Sequence, residues 1–280
     1  MMKQDKAGVP QPYVYVPRDG KPQLLFVLLH GESSGPRQLM RLADALKLAF
    51  PSCMVVLPYA FEDRTPEQKK AGSPEGEYFW IDPVELHEGN YAGRLSQVVS
   101  RLIELIRSLQ RQYGLTGQQT AIAGFSQGAS MALEAAHAQP DLAGRVLAFS
   151  GLYATQPDSV PPATILHFFH GANDQQVSVH DVESTLRRLG ELQGDATLDV
   201  ASGIGHELHD ALVKQAVVRL QTCVPLRSWE EALSSLEEEI RARTGGAGRQ
   251  WLLKRFSALR RMPVCGIVPA IASCAGGFLN

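Results

Sequence analysis

The chain has 280 residues, 27 basic against 29 acidic, and a formal net charge of −2. That near-balance offers no field strong enough to collect phosphates, which excludes nucleic acid as the main partner. An apolar share of 44% is that of a globular protein with a sizeable core, and the length suits one α/β domain with an appendage.

The four cysteines, Cys53, Cys223, Cys265 and Cys274, form no C-x-x-C pair and no zinc spacing. Scattered cysteines of this kind suit a reducing cytoplasm. Residues 1–12 are polar and lack the apolar core of a signal peptide, and no apolar run is long enough to span a bilayer. A cytoplasmic location is therefore expected.

In chain order, residues 13–16 predict an edge strand, closed by the turn Pro17-Arg18-Asp19-Gly20. Leu24–Leu29 is a continuous apolar run ending at His30-Gly31, as suits a strand buried on both faces of a mainly parallel sheet. Leu39, Leu42, Ala43, Leu46 and Phe50 recur at helical spacing over residues 37–50. Cys53–Leu57 predicts the next strand. Between residues 58 and 89 the period is lost among Pro58, Pro66, Pro74 and Pro83, so a long loop is expected. Within it, Tyr78-Phe79-Trp80 is the densest aromatic cluster of the chain. These rings suit either a substrate-lining wall or a plug that closes the loop onto the core.

Asn90 is the expected cap of the following helix, whose apolar face is Leu95, Val98, Val99, Leu102, Ile106 and Leu109 and which Gly114 ends. Thr120–Phe125 predicts a strand and Gln127–Ala138 a small-residue helix able to approach the sheet closely. Arg145–Phe149 and residues 164–169 predict strands, 179–192 a helix, 197–201 a strand and 206–221 a helix. Strands alternating with helices imply a parallel sheet wound on both faces. After Pro225 the character changes. A charged helix over 229–243 and the breaker Gly245-Gly246-Ala247-Gly248 precede a basic run without acidic residues. Residues 1–224 are thus the expected catalytic domain and 225–280 an appendage. Leu252, Phe256 and Leu259 recur at helical spacing there, which suits either a basic amphipathic helix on an anionic membrane surface or a solvated extension.

The chemistry centres on Gly124-Phe125-Ser126-Gln127-Gly128, a G-x-S-x-G pattern between strand and helix. Taken alone it also describes an ordinary glycine-flanked turn. As a nucleophile elbow it lifts a serine hydroxyl above the sheet edge, and the partners follow in the order acid, then histidine. Asp174 lies in the turn after the strand 164–169, whereas Asp181 and Asp199 fall in a helix and mid-strand. His206 follows the loop Ser202-Gly203-Ile204-Gly205, and His209 is expected one turn into the next helix. Ser126, Asp174 and His206 therefore form the candidate triad. His206 and His209 are three apart where H-E-x-x-H needs four, so no metal is expected. The main-chain N–H groups of Glu32 and Gln127 are the candidate oxyanion donors.

His30-Gly31, Gly124-Phe125-Ser126-Gln127-Gly128-Ala129, His170-Gly171 with Asp174, and Gly205-His206 together resemble the phospholipase/carboxylesterase family of α/β-hydrolases, which includes the acyl-protein thioesterases. The resemblance covers roughly residues 24–233 and is closest to the small bacterial carboxylesterase branch. It implies an α/β-hydrolase fold without a separate lid domain, and hydrolysis of esters or thioesters through an acyl-serine, without a cofactor. Short to medium acyl chains are expected, with thioesterase or lysophospholipase-like activity as the alternative and a non-catalytic binding protein as the remote one. Two departures stand out: Glu32 where an apolar residue is more usual, and Glu77-Tyr78-Phe79-Trp80-Ile81-Asp82 in place of a glycine-arginine-rich segment.

Overall fold

The structure is a computed structural model that describes residues 11–17, 21–61, 78–83 and 86–222. The appendage 225–280, the turn residues 18–20, and Cys223, Cys265 and Cys274 lie outside the described residues, as does most of the loop between 58 and 89. The described part belongs to one unit, Met1–Thr222.

Seven strands form one sheet: β1 (Tyr13–Tyr15), β2 (Leu24–Leu29), β3 (Cys53–Leu57), β4 (Thr120–Phe125), β5 (Arg145–Phe149), β6 (Ile165–Gly171) and β7 (Ala196–Ala201). Their spatial order is β1-β3-β2-β4-β5-β6-β7, with β1 antiparallel at the edge and every other pair parallel. The helices are α1 (Met40–Ala49), α2 (Glu88–Tyr113), α3 (Gln127–Ala138), α4 (Val179–Glu191) and α5 (Asp210–Thr222).

Alternation within the buried strands divides the core in two. In β2, Leu25, Val27 and Leu29 face a cluster with α2, α3 and α4, while Phe26 and Leu28 face α1 and α5. Helices thus cover both faces, which is why the central strands read as unbroken apolar runs. α3 comes closest to the sheet: a Cβ on Gly128 would lie 2.2 Å from the Leu29 carbonyl oxygen and 2.4 Å from that of His30.

Three local expectations are corrected. The segment 37–50 begins as a 3-10 turn, Pro36–Leu39, before α1 proper. His87, rather than Asn90, caps α2; Asn90 stands at the third helical position and accepts from the His87 N–H, completing a reciprocal capping box. α5 begins at Asp210 rather than at residue 206, so His209 precedes the helix. Its Nδ1 accepts from the Ala211 N–H and its carbonyl from that of Val213.

His167 is a buried polar residue in mid-sheet. The parallel register sets Thr197 directly opposite, and the two side chains meet at 2.8 Å through Nδ1 and Oγ1. Its Nε2 is buried without a partner. Burial, reinforced by Arg145 and Arg219, pushes its pKa down to about 3. Between pH 6.5 and about 3 the unfolded chain takes up a proton that the folded chain refuses. Folding stability is therefore lost as the pH is lowered through that window, by about 1.4 kcal/mol per unit for one such group. Urea unfolding at pH 7 and pH 4.5 should show a smaller loss for His167→Leu than for the unsubstituted chain, by on the order of 2 kcal/mol. Equal losses would contradict this placement of the proton.

Candidate active site

The strand order reverses between β2 and β4. The chain leaves β2 toward α1 on one face and β4 toward α3 on the other. The two exits diverge and open a crevice at the carboxyl ends of the strands, where α/β sheets bind ligands. Both halves of the candidate oxyanion hole lie at its rims.

Ser126 occupies the β4 exit with φ 52° and ψ −120°, backbone that a side chain rarely adopts. Its N–H donates to the Phe149 carbonyl at 2.9 Å. The close approach of three glycines holds the turn. A Cβ on Gly124 would meet the Gly128 carbonyl oxygen at 2.2 Å, and one on Gly151 would meet the Ser126 oxygen at 2.6 Å. Ser150, beside Gly151, also has positive φ, 47°.

Asp174 sits in the turn after β6, 7% exposed. Its Oδ1 accepts from the N–H groups of Gln176 and Val177, each at 2.9 Å, and its Oδ2 takes His206 Nδ1 at 2.8 Å. Burial works to raise its pKa. The Val177 N–H, the His206 hydrogen bond and the Gln176 N–H together outweigh that and hold the carboxyl below its usual value. Two backbone bonds join the loops that carry the pair: Ala172 N–H to the Ala201 carbonyl, and Asn173 N–H to that of Ile204. The loops are so close that a Cβ on Gly171 would lie 2.4 Å from the oxygens of Ile204 and Gly205. His170, buried behind Asp174, donates from Nε2 to the Val177 carbonyl at 2.8 Å and buttresses the turn.

The His206 ring lies 5.0 Å from that of Phe125, next to the nucleophile candidate. Among the described residues no hydrogen bond joins Ser126 Oγ to His206, a contact that often tightens only around substrate. Asp174 and His206 are thus joined directly across the ends of β6 and β7, and Ser126 stands at the end of β4, with β5 between.

The loop after β2 is fixed largely by side chains close to it in sequence. His30, fully buried, donates from Nδ1 to the Gly31 carbonyl at 2.8 Å and accepts the Ala60 N–H on Nε2 at 3.1 Å. Burial, partly opposed by the Gly31 bond, lowers its pKa to about 4, so the ring is neutral near pH 7. Because a trans peptide points its carbonyl and N–H in opposite directions, holding the Gly31 oxygen also aims the Glu32 N–H. Gln38 Oε1 takes the Gly31 N–H at 2.7 Å. The N–H groups of Glu32 and Gln127 have no hydrogen-bond partner among the described residues. The Glu32 side chain is exposed, and water screens its charge.

Of the aromatic segment, Tyr78 is half-buried and pairs with Ser34 in an isolated antiparallel bridge. Phe79 and Trp80 are 3% and 0% exposed, and the Trp80 indole N–H donates to the His30 carbonyl at 2.7 Å. Phe79 and Trp80 therefore close the loop onto the core, the second of the two roles open to them in the sequence. Sequence reasoning gave His170 no role beyond its place in the His170-Gly171 motif, and missed Gln38, Gly151 and the side chain of Gln127. Only Gly151, in Ser150-Gly151 at a strand end, left a signal. Among the described residues no cluster of ligating side chains has the composition of a metal site, and no helix is long and apolar enough to cross a membrane.

A mainly parallel sheet with this order, a serine at positive φ in the strand-to-helix turn and an acid–histidine pair on the loops after β6 and β7 are the architecture of the α/β-hydrolase class. Comparison with known proteins narrows this. The sequence profile of the phospholipase/carboxylesterase family matches residues 11–224, and the chain belongs to that family. It is 32% identical over 233 residues to the esterase YpfH of Escherichia coli (strain K12), across 83% of this chain and 94% of that one. The crystal structure of esterase PE8 superposes with a TM-score of 0.64 at 28% identity, covering 76% of this chain and 98% of that chain. The fold is shared with the Bacillus cereus carboxylesterase (TM-score 0.59, 15% identity, 74% of this chain and 92% of that one). It is also shared with Zea mays acyl-protein thioesterase 2 (TM-score 0.58, 16% identity, 76% and 98%).

The two histidines separate by their surroundings. His206→Ala should lower turnover by about 10⁴-fold or more. His209→Ala, which removes only a cap acceptor, should keep its rate and lose about 1 kcal/mol of stability. Steady-state kinetics beside thermal melts distinguish them, and an inactive His209→Ala with an active His206→Ala would reverse the assignment.

Proposed function

We propose that this enzyme hydrolyses carboxylic esters of short to medium acyl chains through an acyl-Ser126 intermediate. The observation that carries the proposal is the 2.8 Å bond from His206 Nδ1 to Asp174, beside the left-handed turn at Ser126. In this scheme His206 Nε2 takes the Ser126 hydroxyl proton as Oγ bonds to the acyl carbon. The carbonyl oxygen becomes an oxyanion held by the N–H groups of Glu32 and Gln127. Collapse breaks the bond to the leaving alcohol, which receives the proton from His206. Water then repeats the steps in reverse order, giving the acid and the free serine. Asp174, kept ionised, holds the Nδ1–H tautomer and stabilises the imidazolium.

Each oxyanion donor in such a site lowers the barrier by about 3 kcal/mol. Gln127 adds the favourable end of the α3 dipole, because it is the first residue of that helix. The unit that performs this chemistry is taken to be residues 1–224.

The chain-length proposal rests on packing. Phe79 and Trp80 are committed to the core, which leaves Tyr78 as the ring of that segment available to a substrate pocket. A p-nitrophenyl butyrate should be turned over faster than a palmitate, both below their aggregation limits, and Ser126→Ala should abolish both activities while leaving the melting temperature nearly unchanged. Faster palmitate turnover would move the protein to the long-chain thioesterase class. Normal turnover by a folded Ser126→Ala would remove the serine mechanism altogether.

A further inference from the structure

The two candidate oxyanion donors stand on opposite rims of the crevice, Glu32 after β2 and Gln127 after β4. The ladder joins the two strands as far as Leu29 and Gly124, and the approach of Gly128 to the Leu29 and His30 carbonyls fixes the inner edges of the two loops, while the donors themselves stand beyond those contacts. One segment, residues 78–81, touches both rims.

On the α3 side, the Gln127 carboxamide takes the N–H groups of Trp80 and Ile81 on Oε1, at 2.8 and 3.3 Å. Its Nε2 donates to the Ile81 carbonyl at 2.9 Å. These backbone groups lie outside any regular ladder and need partners. A side chain carrying both a donor and an acceptor answers both needs, and asparagine is one methylene shorter. On the β2 side, the buried Trp80 indole donates to the His30 carbonyl, in the peptide just before the one that carries the Glu32 N–H. The Trp80 and His30 rings are also packed together, with centroids 5.2 Å apart. The Ser34 and Tyr78 main chains add two further bonds to the same rim.

We propose that the Gln127 side chain and Trp80 form a brace across the crevice that sets the separation of the two oxyanion donors, making both of them positioning residues for the hydrolysis. The inference rests on the serine-hydrolase proposal above and adds a second role for Gln127: its N–H faces the reacting oxygen while its carboxamide holds the opposite rim in place.

The test uses the full chain with Gln127→Met, which keeps length and loses every hydrogen bond, and Trp80→Phe, which loses the indole donor. Active sites are first counted by fluorophosphonate labelling, so that misfolded protein is not scored as slow enzyme. The brace predicts that kcat per labelled site falls by about 10- to 100-fold in each variant while KM for a butyrate ester stays nearly constant. The Ki of an alkylboronic acid, whose tetrahedral adduct places an oxygen in the hole, should rise by the same factor. The double variant should be no worse than the poorer single one, because both cut the same connection. Unchanged kcat per labelled site in Gln127→Met with only a lower melting temperature would overturn the proposal, as would losses that multiply in the double variant. An unsubstituted chain that is not labelled at Ser126 would instead overturn the serine-hydrolase proposal and this inference with it.

Discussion

The site depends on a single strained residue. Ser126 holds φ 52° and ψ −120°, a conformation that costs on the order of 1–3 kcal/mol and persists only where its surroundings leave no alternative. Those surroundings are close backbone contacts. Gly124 lies under Gly128, Gly128 against the carbonyls of Leu29 and His30, and Gly151 against the Ser126 oxygen. The same contacts draw α3 onto the sheet, bring the β2 exit beside the elbow and place the loop after β5 behind it. One turn thereby sets where the nucleophile candidate points and where the inner edges of the neighbouring loops lie.

Around that turn, polar groups are arranged so that few are left over. Asp174 has both carboxylate oxygens occupied, one by two backbone N–H groups and one by His206. His30 uses both ring nitrogens, one on the Gly31 carbonyl of its own loop and one on the Ala60 N–H of the loop after β3. The N–H groups of Glu32 and Gln127 are exceptions among the described residues, and they flank the crevice. Two donors without a partner in the described chain, on opposite rims, suit an anionic guest that forms transiently.

Much of this was legible in the sequence where burial on both faces erases ambiguity. β3, β4, β5 and α3 fall at the residues their apolar runs and glycine punctuation indicate. Asp174 could be preferred as the candidate acid because Asp181 and Asp199 lie in α4 and β7 as their patterns require, and Asp199 is engaged by Arg219. Errors fell where side chains override local pattern. Histidine at position 87 is an unusual helix cap and works through the reciprocal bond from Asn90, a pairing that propensity does not register. Residues 206–209 continue the polar and apolar rhythm of α5, yet turn bonds from Glu207 to Gly205 and from His209 to Glu207 delay the helix to Asp210. The fate of Trp80 was undecided in the sequence because its partner, the His30 carbonyl, lies 50 residues away and is a backbone atom. The side chain of Gln127 was hidden for the same reason, since its role depends on a segment that only the folded chain brings near.

In the proposed mechanism the Ser126 hydroxyl, at this strained turn, becomes acylated during turnover. Rapid mixing with p-nitrophenyl butyrate, acid quenching and peptide mapping by mass spectrometry address it directly. A butyryl adduct on Ser126, rising with the burst of p-nitrophenol and decaying at the steady-state rate, is the predicted result. A burst whose butyryl group maps to any other residue would contradict the account.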